Sequence, residues 1–164
     1  MTGEVANLAA RAGVGRSQAR LAAVQALYQM DLAGTDLNDV LHQFLSRRFG
    51  ADAEVDDVRD ADSEFFAGIV RGVVSGQKEI DPPLDAQLAA GWRLNRIDST
   101  VRAVLRSAMF ELLNRPDVPA RVVITEYVEV AGAFFDGDEP KVVNAVLDKL
   151  AKKHRAKEFG GRRG

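Results

Sequence analysis

Arg16 and Arg20 are the residues whose type and spacing best suit binding chemistry. On a helix, two residues four positions apart lie one turn apart on the same side. Their guanidinium groups could then make paired hydrogen bonds to consecutive phosphates of a nucleic acid. The alternative is a solvated helix face without a ligand. In both cases we expect the two side chains on the outer side of their helix.

A second pair, Arg102 and Arg106, has the same spacing. These side chains could bind phosphate, or they could pair with acids of the same helix or of the next one. For Arg106 we favour ion pairing, and we therefore interpret it as a structural residue. The candidate acidic partners are Glu111, Glu126 and Glu129.

Tyr28 is the best aromatic candidate for stacking on a base. It follows Arg20 by two helical turns, at the end of the same amphipathic pattern. The alternative is that its ring closes the core while its hydroxyl stays in water.

The sequence contains no recognisable catalytic or metal site. It has no Cys, and its two histidines, His42 and His154, are far apart. The glycine-rich nucleotide motifs and the zinc-peptidase motif are absent. Carboxylates are plentiful, but no pair of them stands out as an acid and a base. We therefore predict a protein that is not an enzyme and uses no cofactor.

The composition is typical of a single globular domain in an aqueous environment. With 164 residues, 46% of them hydrophobic, the chain can bury one core but is short for two domains. The first residues lack the features of a signal peptide, and no apolar run reaches membrane-spanning length. We expect a cytoplasmic protein with no membrane partner.

The net charge of −2 hides an uneven distribution. Residues 141–164 carry eight Lys or Arg against two acids, whereas residues 31–66 carry ten acids against three arginines. Such a surface can hold a phosphate backbone on its basic part while the acidic part resists indiscriminate binding.

Helical periodicity predicts an all-α fold. Apolar residues recur three and four positions apart through most of the chain, and no useful stretch alternates as a strand would. We predict about seven helices in one compact domain over residues 16–152. Residues 1–15 are expected to form a mobile arm, residues 51–62 a surface loop, and residues 153–164 a basic, disordered tail.

Several residues should begin or shape these helices. Asp36, Asp98 and Asp138 can act as N-caps, and Asp81 followed by Pro82 is typical of a helix start. Gly68, Gly72 and Gly76, four residues apart, suggest close approach of a neighbouring backbone. Trp92 is expected in the core. We expect the amide of Asn144 to be buried and bonded to backbone groups, the alternative being an exposed Asn at the helix edge.

Four segments together resemble the NusB family of bacterial transcription antitermination factors. The longest reads D-V-P-x-x-V-x-I-x-E-x-V-E-x-A from Asp117 and continues with K-x-V-N-x-V-L-D-K from Lys141. The others are A-V-Q-A-L-Y from Ala23, W-R-L-N-R from Trp92 and V-L-R-S-A-M-F-E-L from Val104. Their order and spacing are specific, and the likeness covers residues 16–152.

The resemblance implies a fold of two packed helical subbundles and a role in antitermination. It implies binding of the boxA element of ribosomal RNA leader transcripts, jointly with the small-subunit ribosomal protein NusE and next to RNA polymerase. No cofactor is implied. Homodimers occur among relatives, and helical periodicity does not distinguish a face buried in a dimer from one buried in the core.

The resemblance also implies where RNA would bind. Relatives carry an arginine-rich motif in the first helix, which here corresponds to Arg16, Ser17, Gln18 and Arg20. They also place an aromatic residue after the lysine of K-x-V-N, where this chain has Val142. Asp138 and Lys141 should lie at the same edge. Because valine cannot stack on a base, we expect weak binding of boxA without NusE.

Two alternatives remain, one in the same binding class and one in another functional class. One is an RNA-binding domain of this type without an antitermination role, as found at the head of some ribosomal RNA cytosine methyltransferases. The other is a helical protein-interaction module without RNA affinity. The salt dependence of binding separates these possibilities, because phosphate contacts weaken steeply with salt and apolar interfaces do not.

Overall fold

The computed structural model describes residues 2–48, 56–88 and 92–160. Within these ranges it contains seven α-helices, one short 3₁₀ helix (Ala156–Phe159) and no strand. The prediction of an all-α fold with about seven helices is confirmed. The helices are α1 (Thr2–Ala33), α2 (Leu37–Arg48), α3 (Asp56–Ser75), α4 (Gln77–Gln87), α5 (Ser99–Asn114), α6 (Ala120–Phe134) and α7 (Glu139–His154).

The chain divides into two compact units, Met1–Arg71 and Gly72–Gly164, in keeping with two helical subbundles. In the first unit, the small-residue face of α1 is completely buried, and such a face permits close packing of helices. Phe44 of α2 stacks on Phe66 of α3, with 5.8 Å between the ring centroids. The buried alanines of α1 are Ala19, Ala22, Ala23 and Ala26.

The second unit is built around α5, against which α4, α6 and α7 pack. The carboxylate of Asp98 accepts hydrogen bonds from the backbone N–H groups of Thr100 and Val101, at 2.7 and 3.3 Å, and so caps α5 as predicted. The regular apolar positions of α5 are all buried. They are Val101, Val104, Leu105, Ala108, Met109 and Leu112.

Helix α4 begins earlier than the sequence predicts. It starts at Gln77, so Asp81 is not its cap and Pro82 lies inside it, where it removes one backbone N–H donor. Asp81 instead accepts two hydrogen bonds from Arg106 of α5, from Nε and Nη2, each at 2.9 Å. Arg106 therefore forms an ion pair as predicted, but with Asp81 and not with the glutamates considered. The residues around Asp81 are typical of a helix start, but they do not indicate that its partner is Arg106, 25 residues later.

Of the three glycines spaced at helical intervals, Gly72 has a close neighbour, but that neighbour is a side chain and not the backbone that was predicted. A Cβ atom at this position would overlap the ring of Phe110 in α5. A Cβ atom at Gly68 would meet open space, so the absence of a side chain there serves no packing purpose.

The C-terminal segment is ordered through residue 160, so the prediction of a disordered tail is wrong for residues 153–160. The guanidinium of Arg155 donates to carbonyl oxygens at the end of α5 and in the turn that follows, where several carbonyls have no further intrahelical donor. The four acceptors are the carbonyl oxygens of Glu111, Leu112, Arg115 and Val118. Residues 161–164 lie outside the described residues.

Two other segments are more helical than predicted. Residues 2–15, expected as an arm without regular structure, belong to α1, and residues 56–62, expected in a loop, begin α3. Residues 2–15 are rich in Ala and Gly, and residues 56–62 have few large apolar side chains, so neither segment shows a hydrophobic period that would predict a helix. The mobility of the N-terminal residues stays a prediction, and residues 51–55 lie outside the described part of the chain.

Candidate nucleic-acid interface

Arg16 and Arg20 both lie over the ring of Phe65 in α3. Their guanidinium carbons are 4.6 and 4.9 Å from the ring centroid, within the range of a cation–π contact. Arg16 is half-buried, but Arg20 is only 3% exposed. The prediction that both side chains face outward is therefore wrong for Arg20.

Helical spacing explains this burial. Arg16, Arg20, Ala23 and Leu27 follow one another at intervals of four, three and four residues, so they share one side of α1. Ala23 and Leu27 are buried on that side. The two arginines thus extend the apolar stripe, and their long alkyl stems can line it while the guanidinium groups remain polar.

Asp62 of α3 is a buried acid at the same place, and the sequence analysis had put it in a surface loop. It is 8% exposed, and its carboxylate lies so close to Gly15 that a Cβ atom there would overlap it. Burial raises the pKa of Asp62, and the nearby positive charge of Arg16 partly offsets the rise. Arg16 is therefore close to both an aromatic ring and an acid.

The other predicted RNA-binding residues of α1 differ in exposure. Gln18 is exposed and Ser17 is half-buried, so the amide of Gln18 faces solvent. The side chain of Tyr28 is 39% exposed, which fits neither complete closure of the core nor full solvation. These three side chains and Arg16 leave polar or aromatic atoms accessible along α1.

The start of α7 presents the second predicted group. Asp138 and Lys141 are exposed, and Val142 is half-buried. Asp138 stands at the N-cap, but its side chain makes no capping hydrogen bond, so the predicted cap is wrong. The backbone of Asp138 is helical there, with φ −84° and ψ −5°, whereas a capping residue normally has a non-helical backbone.

A groove runs beside α7 and has a volume of about 230 Å³. Trp92, expected in the core, is half-buried and lines this groove together with Val142. Asn144 points away from the core and is exposed, so the prediction of a buried amide is wrong and the alternative is correct. Val143 and Leu147, on either side of it in sequence, take the buried face of α7.

Across the described ranges, no cluster of three or more His, Asp or Glu side chains could hold a metal ion. In the same ranges, no helix is both long enough and apolar enough to cross a membrane. Arginine, lysine, amide and aromatic groups are the chemistry that these surfaces offer, and such groups bind phosphates and bases.

The sequence matches the family model described as the NusB family over residues 17–152. It is 54% identical over 140 residues to the transcription antitermination protein NusB of Bartonella tribocorum, covering 85% of this chain and 90% of that protein. It is also 54% identical over 144 residues to the transcription antitermination protein NusB of Maricaulis maris, covering 88% and 90%.

Solved structures show the same fold. The structure of T. maritima NusB superimposes with a TM-score of 0.74 at 30% identity, covering 89% of this chain and 97% of that one. A crystal structure of the antitermination factors NusB and NusE in complex with dsRNA superimposes with a TM-score of 0.69 at 24% identity, covering 85% and 97%.

Proposed function

The chain belongs to the NusB family, and on that premise we propose that it binds boxA RNA of ribosomal RNA leader transcripts together with NusE. In this function it joins the antitermination complex of RNA polymerase in the cytoplasm, as a binding protein without catalytic activity. The observation that carries the proposal is the match to transcription antitermination proteins at 54% identity over nine-tenths of a relative's length.

In this proposal Arg16 is the phosphate contact of α1. Its guanidinium carbon lies 4.6 Å from the centroid of the Phe65 ring, and a guanidinium in contact with an aromatic ring can still donate hydrogen bonds to phosphate. Gln18 and Ser17 supply polar contacts beside it, and Tyr28 supplies a partly exposed ring. Arg20, which is buried, positions α1 and Arg16 and does not itself reach RNA.

A second part of the RNA surface lies at the start of α7. We assign Lys141 to a phosphate and Asp138 to a hydrogen-bond donor of a base or of the RNA backbone. Both side chains are exposed, and Asp138 makes no bond to its own helix end, so its carboxylate is available. Val142, half-buried beside them, contributes an apolar contact without a stacking ring.

NusE is the protein partner in this proposal. A protein of the same fold forms a complex with NusE and dsRNA, which supports NusE and RNA as partners of this chain. We propose that the two partners bind cooperatively. A homodimer of this chain would be a competing state, and light scattering of the protein alone and with NusE distinguishes the two.

One observation favours a protein-interaction module without RNA affinity. Arg20 is buried and Arg16 is half-buried, so the guanidinium groups of α1 are less accessible to RNA than the sequence suggests. Leu32, near the end of α1, is 60% exposed and could contact a protein. Under this alternative, NusE binds equally well without RNA.

The test is transcription in vitro. A template carrying boxA upstream of a terminator is transcribed by RNA polymerase with NusE, with and without this protein, and a template with scrambled boxA is the control. The proposal predicts more read-through on the boxA template alone. Equal read-through on both templates contradicts it.

A further inference from the structure

The groove beside α7 is formed within the second unit, between the end of α4, Trp92 and one face of α7. It is small compared with pockets for drug-sized ligands, and its volume of about 230 Å³ suits one planar ring system. The residues that line it are Gln87, Leu88, Trp92, Val142, Ala145, Val146 and Lys149.

Trp92 gives this groove a flat, polarisable surface. Its indole is half-buried, so it packs on the protein with part of the ring system while the groove gives access to another part. Val142 lines the same groove and, being smaller than an aromatic residue, leaves room over the indole. Gln87 adds an amide that can donate and accept hydrogen bonds at the rim.

Charge along α7 distinguishes the possible occupants. Lys149 lines the groove, and Lys153 follows it one helical turn later on the same side. Both lysines are exposed, and neither forms an ion pair with any described residue. Lys152, by contrast, lies off this line and pairs with Asp148 at 3.0 Å. The face that continues the groove is therefore positive and uncompensated.

We propose that this groove binds one unpaired nucleobase of boxA RNA, stacked on Trp92, with flanking phosphates on Lys149 and Lys153. The proposal rests on the function proposed above and adds a base-binding position to it. A flat aromatic surface beside unpaired lysines is the combination that single-stranded nucleic acid requires. An apolar side chain of a protein partner would use the indole but would gain nothing from the two lysines.

Trp92 reports on its own occupancy, because it is the only tryptophan of the sequence. A base stacked on an indole quenches its fluorescence. We therefore propose to titrate the full chain with boxA RNA, with a boxA RNA that lacks one base at a time, and with polyphosphate. RNA binding is measured in parallel by the anisotropy of an end-labelled RNA.

The proposal predicts strong quenching by boxA RNA, loss of that quenching for the RNA missing one particular base, and no quenching by polyphosphate. Trp92→Leu should weaken boxA binding by roughly 5- to 150-fold, the range for losing one stacked base. Because this change could also disturb packing, thermal unfolding of the variant is measured beside its affinity.

Lysine variants give a test that leaves Trp92 in place. Lys149→Ala and Lys153→Ala should each reduce both boxA affinity and its salt dependence, whereas Lys152→Ala, which removes the same charge from a paired residue, should change both much less. An equal loss for all three variants would show a general charge effect and overturn the proposal.

The remaining outcomes separate the two proposals. If boxA RNA does not bind, as seen by anisotropy, the proposed function fails and this inference fails with it. If the RNA binds while Trp92 fluorescence stays unchanged for every oligonucleotide, the function stands and the base site is wrong. If NusE without RNA quenches Trp92 and boxA RNA does not, the groove is a protein-binding site and the inference is overturned.

Discussion

Arg155 and Glu158 form an ion pair that fastens the C-terminal segment to the turn between α5 and α6. Arg155 Nη1 lies 2.5 Å from Glu158 Oε2, and the other carboxylate oxygen of Glu158 accepts the backbone N–H of Ala120 at 2.7 Å. Ala120 is the first residue of α6, where N–H groups lack intrahelical partners. This pair of side chains thus provides hydrogen-bond partners for carbonyl oxygens at the end of α5 and for an N–H group at the start of α6.

Removing Arg155 should therefore destabilise the second unit. Arg155→Ala leaves the carbonyl oxygens of Leu112 and Val118 without their side-chain donor, while those of Glu111 and Arg115 keep a backbone N–H donor. We expect a loss of about 1–3 kcal/mol in the free energy of unfolding. Urea denaturation measures it. Lys157→Ala, an exposed neighbour in the same segment, is the control and should stay within about 0.5 kcal/mol. Equal stability of the two variants would mean that the segment does not hold the turn.

The stabilisation by Glu158 should depend on pH. The backbone hydrogen bond from Ala120, followed by the hydrogen bond and charge of Arg155, lowers the pKa of Glu158 below its ordinary value of 4.5. Because the pKa is lower in the folded state, the contribution is complete above the unfolded pKa and is lost as the pH falls through the folded one. The stability difference between the wild type and Glu158→Gln should shrink below about pH 4.5. A difference that is constant from pH 7 to pH 3 would contradict this account.

Substitutions of Arg20 and Gln18, two residues apart, should affect different properties: stability for Arg20 and RNA binding for Gln18. Arg20→Ala removes a buried side chain and its contact with Phe65, so it should lower stability by about 1–3 kcal/mol. Gln18→Ala changes an exposed residue and should leave the melting temperature nearly unchanged while weakening boxA binding. Thermal unfolding and RNA titration of both variants check this pair. Equal melting temperatures would refute the assignment of Arg20 to the interior.

Asp62 should oppose RNA binding through Arg16. Burial raises the pKa of Asp62, so the folded protein disfavours the ionised carboxylate. The free energy of unfolding therefore decreases as the pH rises from the pKa of Asp62 in the unfolded chain to its higher pKa in the folded protein. Asp62→Asn should relieve this cost at pH 7 and release Arg16 from its acidic neighbour, so we expect equal or higher stability and tighter boxA binding. Glu64→Gln, an exposed acid of α3, is the matched control. Weaker RNA binding by Asp62→Asn would show that the acid positions Arg16 for RNA.

The parts of the fold that depend on local signals could be predicted from sequence. The apolar period of α5 and the cap at Asp98 need only neighbouring residues, and both are correct. Arg20 was placed on the wrong side of α1, although its spacing to Ala23 and Leu27 already assigns it to the buried side.

Long-range partners were beyond the sequence patterns. Asp81 and Arg106 are 25 residues apart, and Arg155 reaches a carbonyl oxygen 44 residues away. Asp81-Pro82 looked like a helix start, and the residues after Lys153 looked like a solvated tail, because the groups that bind them lie elsewhere in the chain. For the same reason the sequence did not show that Trp92 and Val142 line one groove with Lys149.

The central claim is that this protein binds boxA RNA through phosphate and base contacts and does so more tightly with NusE. The most direct measurement is an anisotropy titration of labelled boxA RNA and of a scrambled RNA at two salt concentrations, with and without NusE. We predict preference for boxA, tighter binding with NusE, and a slope of log K against log salt of about −2 or steeper, as three or more phosphate contacts to a single strand would give. Equal affinity for the scrambled RNA, together with a slope near zero, would contradict the account.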